Sequence, residues 1–151
     1  SLGDIKRGLL EVEWPARFQV LPGRPTVVLD VAHNPHAAAV LKSSLDGMAF
    51  HPKTHAVLGM MQDKDIDGVV ALLADRVDIW YLAAPNLPRA ASSSQLAEII
   101  RRHAPQSSCV EFATVADAYQ SACKNALEAD RILVFGSFFT VAEVMAELKR
   151  T

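Results

Sequence analysis

Short apolar runs alternate with stretches of helical spacing along this chain, and that alternation predicts the fold. Phe18-Gln19-Val20-Leu21 reads as a short first strand, closed by the turn signal Pro22-Gly23. Thr26–Ala32 is an almost unbroken apolar run carrying Asp30 near its end, and it predicts a second strand. Asn34 then has the chemistry of a helix N-cap. Pro35 suits the first helical position, where its missing N–H is no loss. Ala37, Val40, Leu41, Leu45 and Met48 follow at helical spacing. The rhythm continues with a strand over Thr54–Met60, a helix over Ile66–Arg76 and a strand over Asp78–Ala84. A helix over Ser94–His103 and a strand over Cys109–Ala113 come next. Thr114 opens a helix over Val115–Ala129, and a last strand, Arg131–Phe135, leads into a last helix, Phe138–Lys149.

Strands that are apolar on both faces and alternate with helices imply a mostly parallel sheet covered on each side. The expectation is a single Rossmann-like α/β domain over residues 1–151, three layers deep, with about six strands and right-handed crossovers. In such open sheets a ligand lies in the crevice beyond the carboxyl ends of the strands.

Composition narrows the partners. Half of the residues are apolar and 21% are charged, as in a globular domain. The longest runs without Asp, Glu, Lys or Arg, Val31–Leu41 and Ile132–Ala142, are far shorter than the roughly 18 apolar residues of a membrane span. Ser1-Leu2-Gly3-Asp4-Ile5-Lys6-Arg7 has no apolar core of a signal peptide, and with no initiator Met the chain reads as a piece of something longer. A net charge of −2, with no basic block, argues against nucleic acid and favours a small ligand held by a few placed residues. Cys109 and Cys123 have no metal-type spacing and read as small core residues, so a cytoplasmic setting is expected.

Chemistry concentrates at Asp30-Val31-Ala32-His33-Asn34-Pro35-His36. An ionisable group closing so apolar a strand calls for a partner or a ligand. Asp30, acceptor-only when ionised, suits sugar hydroxyls, and His33 could meet an anion or a proton in flight. Asp30 with His36 offers two metal ligands, too few for a closed site. Along the same edge, Gly59-Met60-Met61-Gln62-Asp63-Lys64-Asp65 places Asp63 and Asp65 as helix caps, with Lys64 able to touch a phosphate. Gly136-Ser137-Phe138-Phe139-Thr140 has the form of a phosphate-holding strand–turn–helix junction, with Ser137 as the simplest N-cap. Neither the dinucleotide glycine fingerprint nor the P-loop occurs in the chain. Arg17 and Arg89 are lone guanidiniums, able to stack on a base or pair with an anion. His51, His55 and His103 are scattered and receive no role.

Together, Arg17-Phe18-Gln19, Asp30-Val31-Ala32-His33-Asn34-Pro35-His36-Ala37-Ala38, Gly59-Met60-Met61-Gln62-Asp63-Lys64-Asp65 and Val134-Phe135-Gly136-Ser137-Phe138 resemble one family. It is the folylpolyglutamate synthase/dihydrofolate synthase enzymes of the Mur ligase superfamily. The resemblance covers nearly the whole chain and implies a C-terminal domain whose P-loop ATPase partner is an N-terminal domain outside this sequence. It implies ATP-dependent addition of L-glutamate to dihydropteroate or a folate such as tetrahydrofolate, through an acyl phosphate, with Mg2+ held mainly by the N-terminal domain. By matching position, Arg17 would lie near the base, Asp30 at the ribose and His33 toward the phosphates, with a catalytic part for His33. Ser137 would line the cleft. Ala16 departs from the glycine usual before the arginine, and Phe139 stands where some members carry histidine. The resemblance also implies that this domain alone is inactive. The C-terminal domain of a cell-wall Mur ligase and a non-catalytic α/β binding module are the alternative readings.

Overall fold

The computed structural model describes residues 17–150. Ser1–Arg7 and Ala16, each given a reading from sequence, lie outside the described residues. The elements run in the order β1 (Gln19–Leu21), β2 (Thr26–Leu29), α1 (Pro35–Asp46), β3 (Thr54–Leu58) and α2 (Ile66–Leu73). A 3-10 turn, Ala74–Arg76, precedes β4 (Ile79–Leu82), α3 (Ser93–His103), β5 (Ser108–Glu111), α4 (Val115–Asn125), β6 (Arg131–Phe135) and α5 (Phe138–Arg150). The six strands form one sheet in the order β1-β2-β6-β3-β4-β5. Every pairing is parallel except β1 with β2. The two edge strands are short, which limits unwanted pairing with other chains.

Strand periodicity divides the core. Val28, Ala56, Leu58, Trp80, Leu82, Leu133 and Phe135 face α1, α2 and α3. Their sequence neighbours Val27, Leu29, Val57, Tyr81, Ala83, Ile132 and Val134 face α4 and α5 on the other side. Both faces of the central strands are therefore apolar, which is why β3 and β6 read as unbroken hydrophobic runs. The chain passes over β6 when it goes from β2 through α1 to β3, and it returns to fill that gap last. The helix after β6 then lies on the face opposite to those after β2 and β3. This change of face opens a crevice at the carboxyl ends of β2, β6 and β3.

Several boundaries differ by a few residues from the sequence expectation, and at the ends of β2 and α4 the hydrogen bonds show a local reason. β2 stops at Leu29 because Asp30, whose N–H still reaches Val134 O at 3.0 Å, turns its carboxylate back on the following loop. α2 gives way to the 3-10 turn at Ala74. α4 ends at Asn125 because Asp130 closes a turn, its carboxylate taking Leu127 N–H and its own N–H reaching Leu127 O, both at 3.0 Å. One core assignment is corrected: Cys109 is partly buried against the core, but Cys123 is exposed on α4. On this helix of about three turns the buried residues are Val115, Ala118, Tyr119 and Ala122, and Cys123 falls outside that face.

His55, which the sequence left without a role, belongs to a buried relay at the amino edge of the sheet. Asn125 Nδ2 donates to the Tyr81 hydroxyl (3.4 Å), which lies 2.9 Å from His55 Nδ1, while His55 Nε2 lies 3.0 Å from Asp130 Oδ2. A carboxylate only accepts, so Nε2 carries the proton and Nδ1 accepts from Tyr81 in the neutral imidazole. Both ring nitrogens, the Tyr81 hydroxyl and Asp130 Oδ2 are then satisfied, as burial demands. Nearby, Arg131 ties β6 to the end of α1, donating to Thr54 Oγ1 (2.7 Å) and Leu45 O (3.0 Å).

Candidate functional site

Register brings the site together. Leu29 pairs with Val134, and Leu58 with Phe135, so the residues that follow β2, β6 and β3 emerge side by side at one edge. Asp30 and His33 come from the first, Gly136 and Ser137 from the second, and Gly59, Met61 and Lys64 from the third. The expected cluster of Arg17, Asp30, His33 and Ser137 therefore does assemble along a single cleft.

The cleft has two joined compartments. A groove of about 210 Å³ is lined by Arg17, Phe18, Asp30, His33, Val40 and Ser44 among others. A second, of about 340 Å³, is lined by His33, Met61, Lys64, Ser137, Phe138 and Phe139. Val31 and His33 belong to both, so the imidazole stands at the junction. Further along the edge, a broader depression of about 690 Å³ is lined by Pro85, Asn86, Leu87, Thr114 and Glu143, with Glu143 accepting Asn86 N–H at 2.9 Å.

Asp30 is buried, and both carboxylate oxygens are engaged: Oδ1 by Ala32 N–H (2.8 Å) and Oδ2 by Phe18 N–H (3.0 Å). Burial raises its pKa above the ordinary value, against the lowering pull of the two amides and of the Arg17 charge. Arg17 is exposed at the rim, and Phe18 beside it has the left-handed φ of +45°. His33 lies 2.9 Å from Val31 O through Nδ1. A carbonyl only accepts, so Nδ1 is the protonated nitrogen, and Nε2 carries the lone pair or, in the imidazolium, a second donor. Asn34 caps α1 as expected, its Oδ1 accepting Ala37 N–H at 2.8 Å.

Ser137 caps α5, its Oγ accepting Thr140 N–H at 3.0 Å. Thr140 Oγ1 donates its single hydrogen to Gly59 O (2.8 Å), so Ser137 must donate the bond that joins the two hydroxyls at 2.9 Å. The Ser137 hydrogen is thus committed inside the fold, and any part it takes in binding comes from its place at the positive end of α5. Neither α1 nor α5 has an acidic residue in its first turn. With Arg17 and Lys64, these helix ends give the cleft an electropositive bias suited to an anion.

Of the two proposed caps on α2, Asp65 accepts Gly68 N–H at 2.9 Å, whereas Asp63 pairs instead with Arg89 at 3.1 Å. That ion pair, with the bond from Gln62 N–H to Arg89 O (2.8 Å), ties the β3–α2 loop to the β4–α3 loop. Sequence reasoning missed the apolar wall made by Phe138 and Phe139, whose rings lie 5.4 Å apart. Two aromatics opening a helix right after Gly-Ser were its only signal. Among the described residues no group of three His, Cys, Asp or Glu side chains could hold a metal ion.

The profile described as "Mur ligase, glutamate ligase domain" matches residues 16–138. This chain belongs to that family. Its glutamate ligase domain is 40% identical over 145 residues to the dihydrofolate synthase/folylpolyglutamate synthase of Escherichia coli, a match covering 96% of this chain and 33% of the relative. The domain also superposes on E. coli FolC in complex with DHPP and ADP, with a TM-score of 0.81 and 38% identity, covering 100% of this chain and 36% of that one. A bifunctional folylpolyglutamate synthase/dihydrofolate synthase with Mn, AMPPNP and L-glutamate bound gives a TM-score of 0.81 at 45% identity, over 96% of this chain and 34% of that chain. The Mur ligase domain described here thus spans about a third of the length of the relatives it matches. Among its described residues, no helix is long and apolar enough to cross a membrane.

Proposed function

We propose that this chain is the C-terminal, nucleotide-closing domain of a cytoplasmic ligase that joins L-glutamate to dihydropteroate, to folates, or to both. The observation that carries the reading is the electropositive cleft at the change of face in the sheet, with Arg17, His33 and Lys64 around it. It occurs in a chain similar to enzymes crystallised with ADP, AMPPNP and L-glutamate. In the ligation, ATP supplies the phosphoryl group that activates a carboxylate, and the amine of glutamate displaces phosphate from the acyl phosphate.

The residues of this chain orient and neutralise. Arg17, planar and always charged, takes the base end of the smaller groove, and Asp30 the ribose hydroxyls. His33, its Nδ1 locked on Val31 O, presents Nε2 to the phosphates or to a proton leaving the amine. Lys64 and the α5 N-terminus at Ser137 add positive charge opposite it. Phe138 and Phe139 form an apolar wall that excludes water as the cleft closes. The described residues offer no ligand set for a divalent ion, so Mg2+ would be held by an N-terminal P-loop domain and the phosphates. For the same reason the 151 residues alone should not turn over.

The test is ATP-dependent glutamate ligation by the full-length protein that carries this chain, assayed separately with dihydropteroate and tetrahydrofolate. Product from either supports the reading and fixes which acceptor is used. Failure with both, with ADP release only on a different carboxylate such as a UDP-linked peptide, would overturn it.

A further inference from the structure

One carboxylate joins the two walls of the smaller groove. Asp30 Oδ1 holds Ala32 N–H, directly before His33, and Asp30 Oδ2 holds Phe18 N–H, directly after Arg17. Phe18 has a φ of +45°, a region that side chains other than glycine rarely occupy unless the surroundings enforce it. Its amide points to Asp30, whose side chain is fixed by burial at the end of β2, whereas Arg17 is exposed. An exposed arginine has many rotamers, and the backbone from which it springs limits where its guanidinium can go.

We propose that Asp30 is a positioning residue: by clamping the Phe18 amide it sets Arg17 against His33, so that nucleotide affinity depends on Asp30 through Arg17. The inference rests on the reading of this groove as the nucleotide's and goes beyond contact of Asp30 with ribose. It also accounts for a carboxyl group placed where burial disfavours its charge, since its two oxygens hold two amides at once.

The test is a double-mutant cycle in the full-length enzyme, reading KM for ATP and kcat at saturating ATP. Arg17→Ala and Asp30→Asn should each raise KM about tenfold with kcat largely kept, and the double variant should stay well below the hundredfold product, any excess over tenfold being the direct ribose contact of Asp30. Asp30→Ala, which removes both acceptor oxygens, should give the same rise and the same lack of additivity, and it serves if Asp30→Asn does not fold. Independent, multiplying effects, giving about a hundredfold rise in the double variant, would overturn the positioning role while leaving the groove to the nucleotide. An unchanged KM in Arg17→Ala would remove the nucleotide reading of the groove, and the inference with it.

Discussion

Gly136 and Gly59 meet back to back at the carboxyl edge of the sheet: a Cβ on Gly136 would stand 2.2 Å from the carbonyl oxygen of Gly59. Gly136 also has a φ of +117°, so both space and conformation exclude other residues. The contact lets β6 and β3 turn into α5 and α2 close enough to share one cleft. Gly136→Ala should cost about 2–6 kcal/mol, the sum of overpacking and backbone strain. Gly23→Ala, with φ of +150° but its nearest neighbour 3.7 Å away, should cost only the conformational part, about 1–3 kcal/mol. Equal losses in urea unfolding would show that the close approach is not what matters.

Asp130→Asn should destabilise the fold by about 2–3 kcal/mol, because His55 Nε2–H and Leu127 N–H lose a charged acceptor. Although burial works to raise its pKa, the hydrogen bonds from Leu127 and His55 hold Asp130 below the ordinary 3.8. As pH falls, the unfolded chain takes up its proton first. The stabilisation is therefore present in full above pH 3.8 and lost as pH falls through the lower folded value. Unfolding free energies of the two proteins should converge in that acid range, and a gap independent of pH would speak against the charged acceptor.

Asp30 has the opposite sign. Its pKa is raised by burial, so its contribution to stability is complete below pH 3.8 and is lost as pH rises through the folded value. The charge on Asp30 therefore adds no net stability of its own. Asp30→Asn should unfold within about 1 kcal/mol of the wild type at pH 7, whatever its effect on nucleotide affinity. A larger loss by thermal melting would make Asp30 a residue of the fold first.

His33→Ala in the full-length enzyme should lower kcat/KM for ATP by about 10- to 100-fold, the worth of one charge-assisted hydrogen bond. The unfolding midpoint should barely move, since only the bond to Val31 O is lost inside the fold. Unchanged steady-state kinetics would place His33 outside the site.

Ser92 and Gln95 form a reciprocal capping box on α3, Ser92 Oγ accepting Gln95 N–H at 3.1 Å and Gln95 Oε1 accepting Ser92 N–H at 2.8 Å. Ser92→Ala should cost about 1 kcal/mol in urea unfolding. No loss would mean that water replaces the cap.

Most of the site was legible because it is local. Asn34-Pro35 announces the start of α1, and an acid and a histidine just before it fall where α/β sheets bind ligands. Lys64 was legible only as a residue between two apparent caps. Which of those two aspartates would cap α2 was not legible, because Arg89, distant in sequence, claims Asp63. His55 gave no signal, since its partners Tyr81 and Asp130 lie on other strands and loops. Cys123 looked apolar by residue type, but its helical phase turns it to the surface.

The sequence by itself determined the alternation of buried strands and capped helices, because hydrophobic period and cap chemistry act over a few residues. It also determined that Arg17, Asp30, His33 and Ser137 follow or precede strand ends. Only the tertiary structure decided that β6 inserts between β2 and β3, and therefore that these residues share one cleft. It alone decided that the Asp30 carboxylate is spent on Phe18 and Ala32, and that the Ser137 hydrogen is spent on Thr140. Strand order and hydrogen-bond partners depend on which distant segments meet, and that is settled by how two faces of one sheet are covered at once.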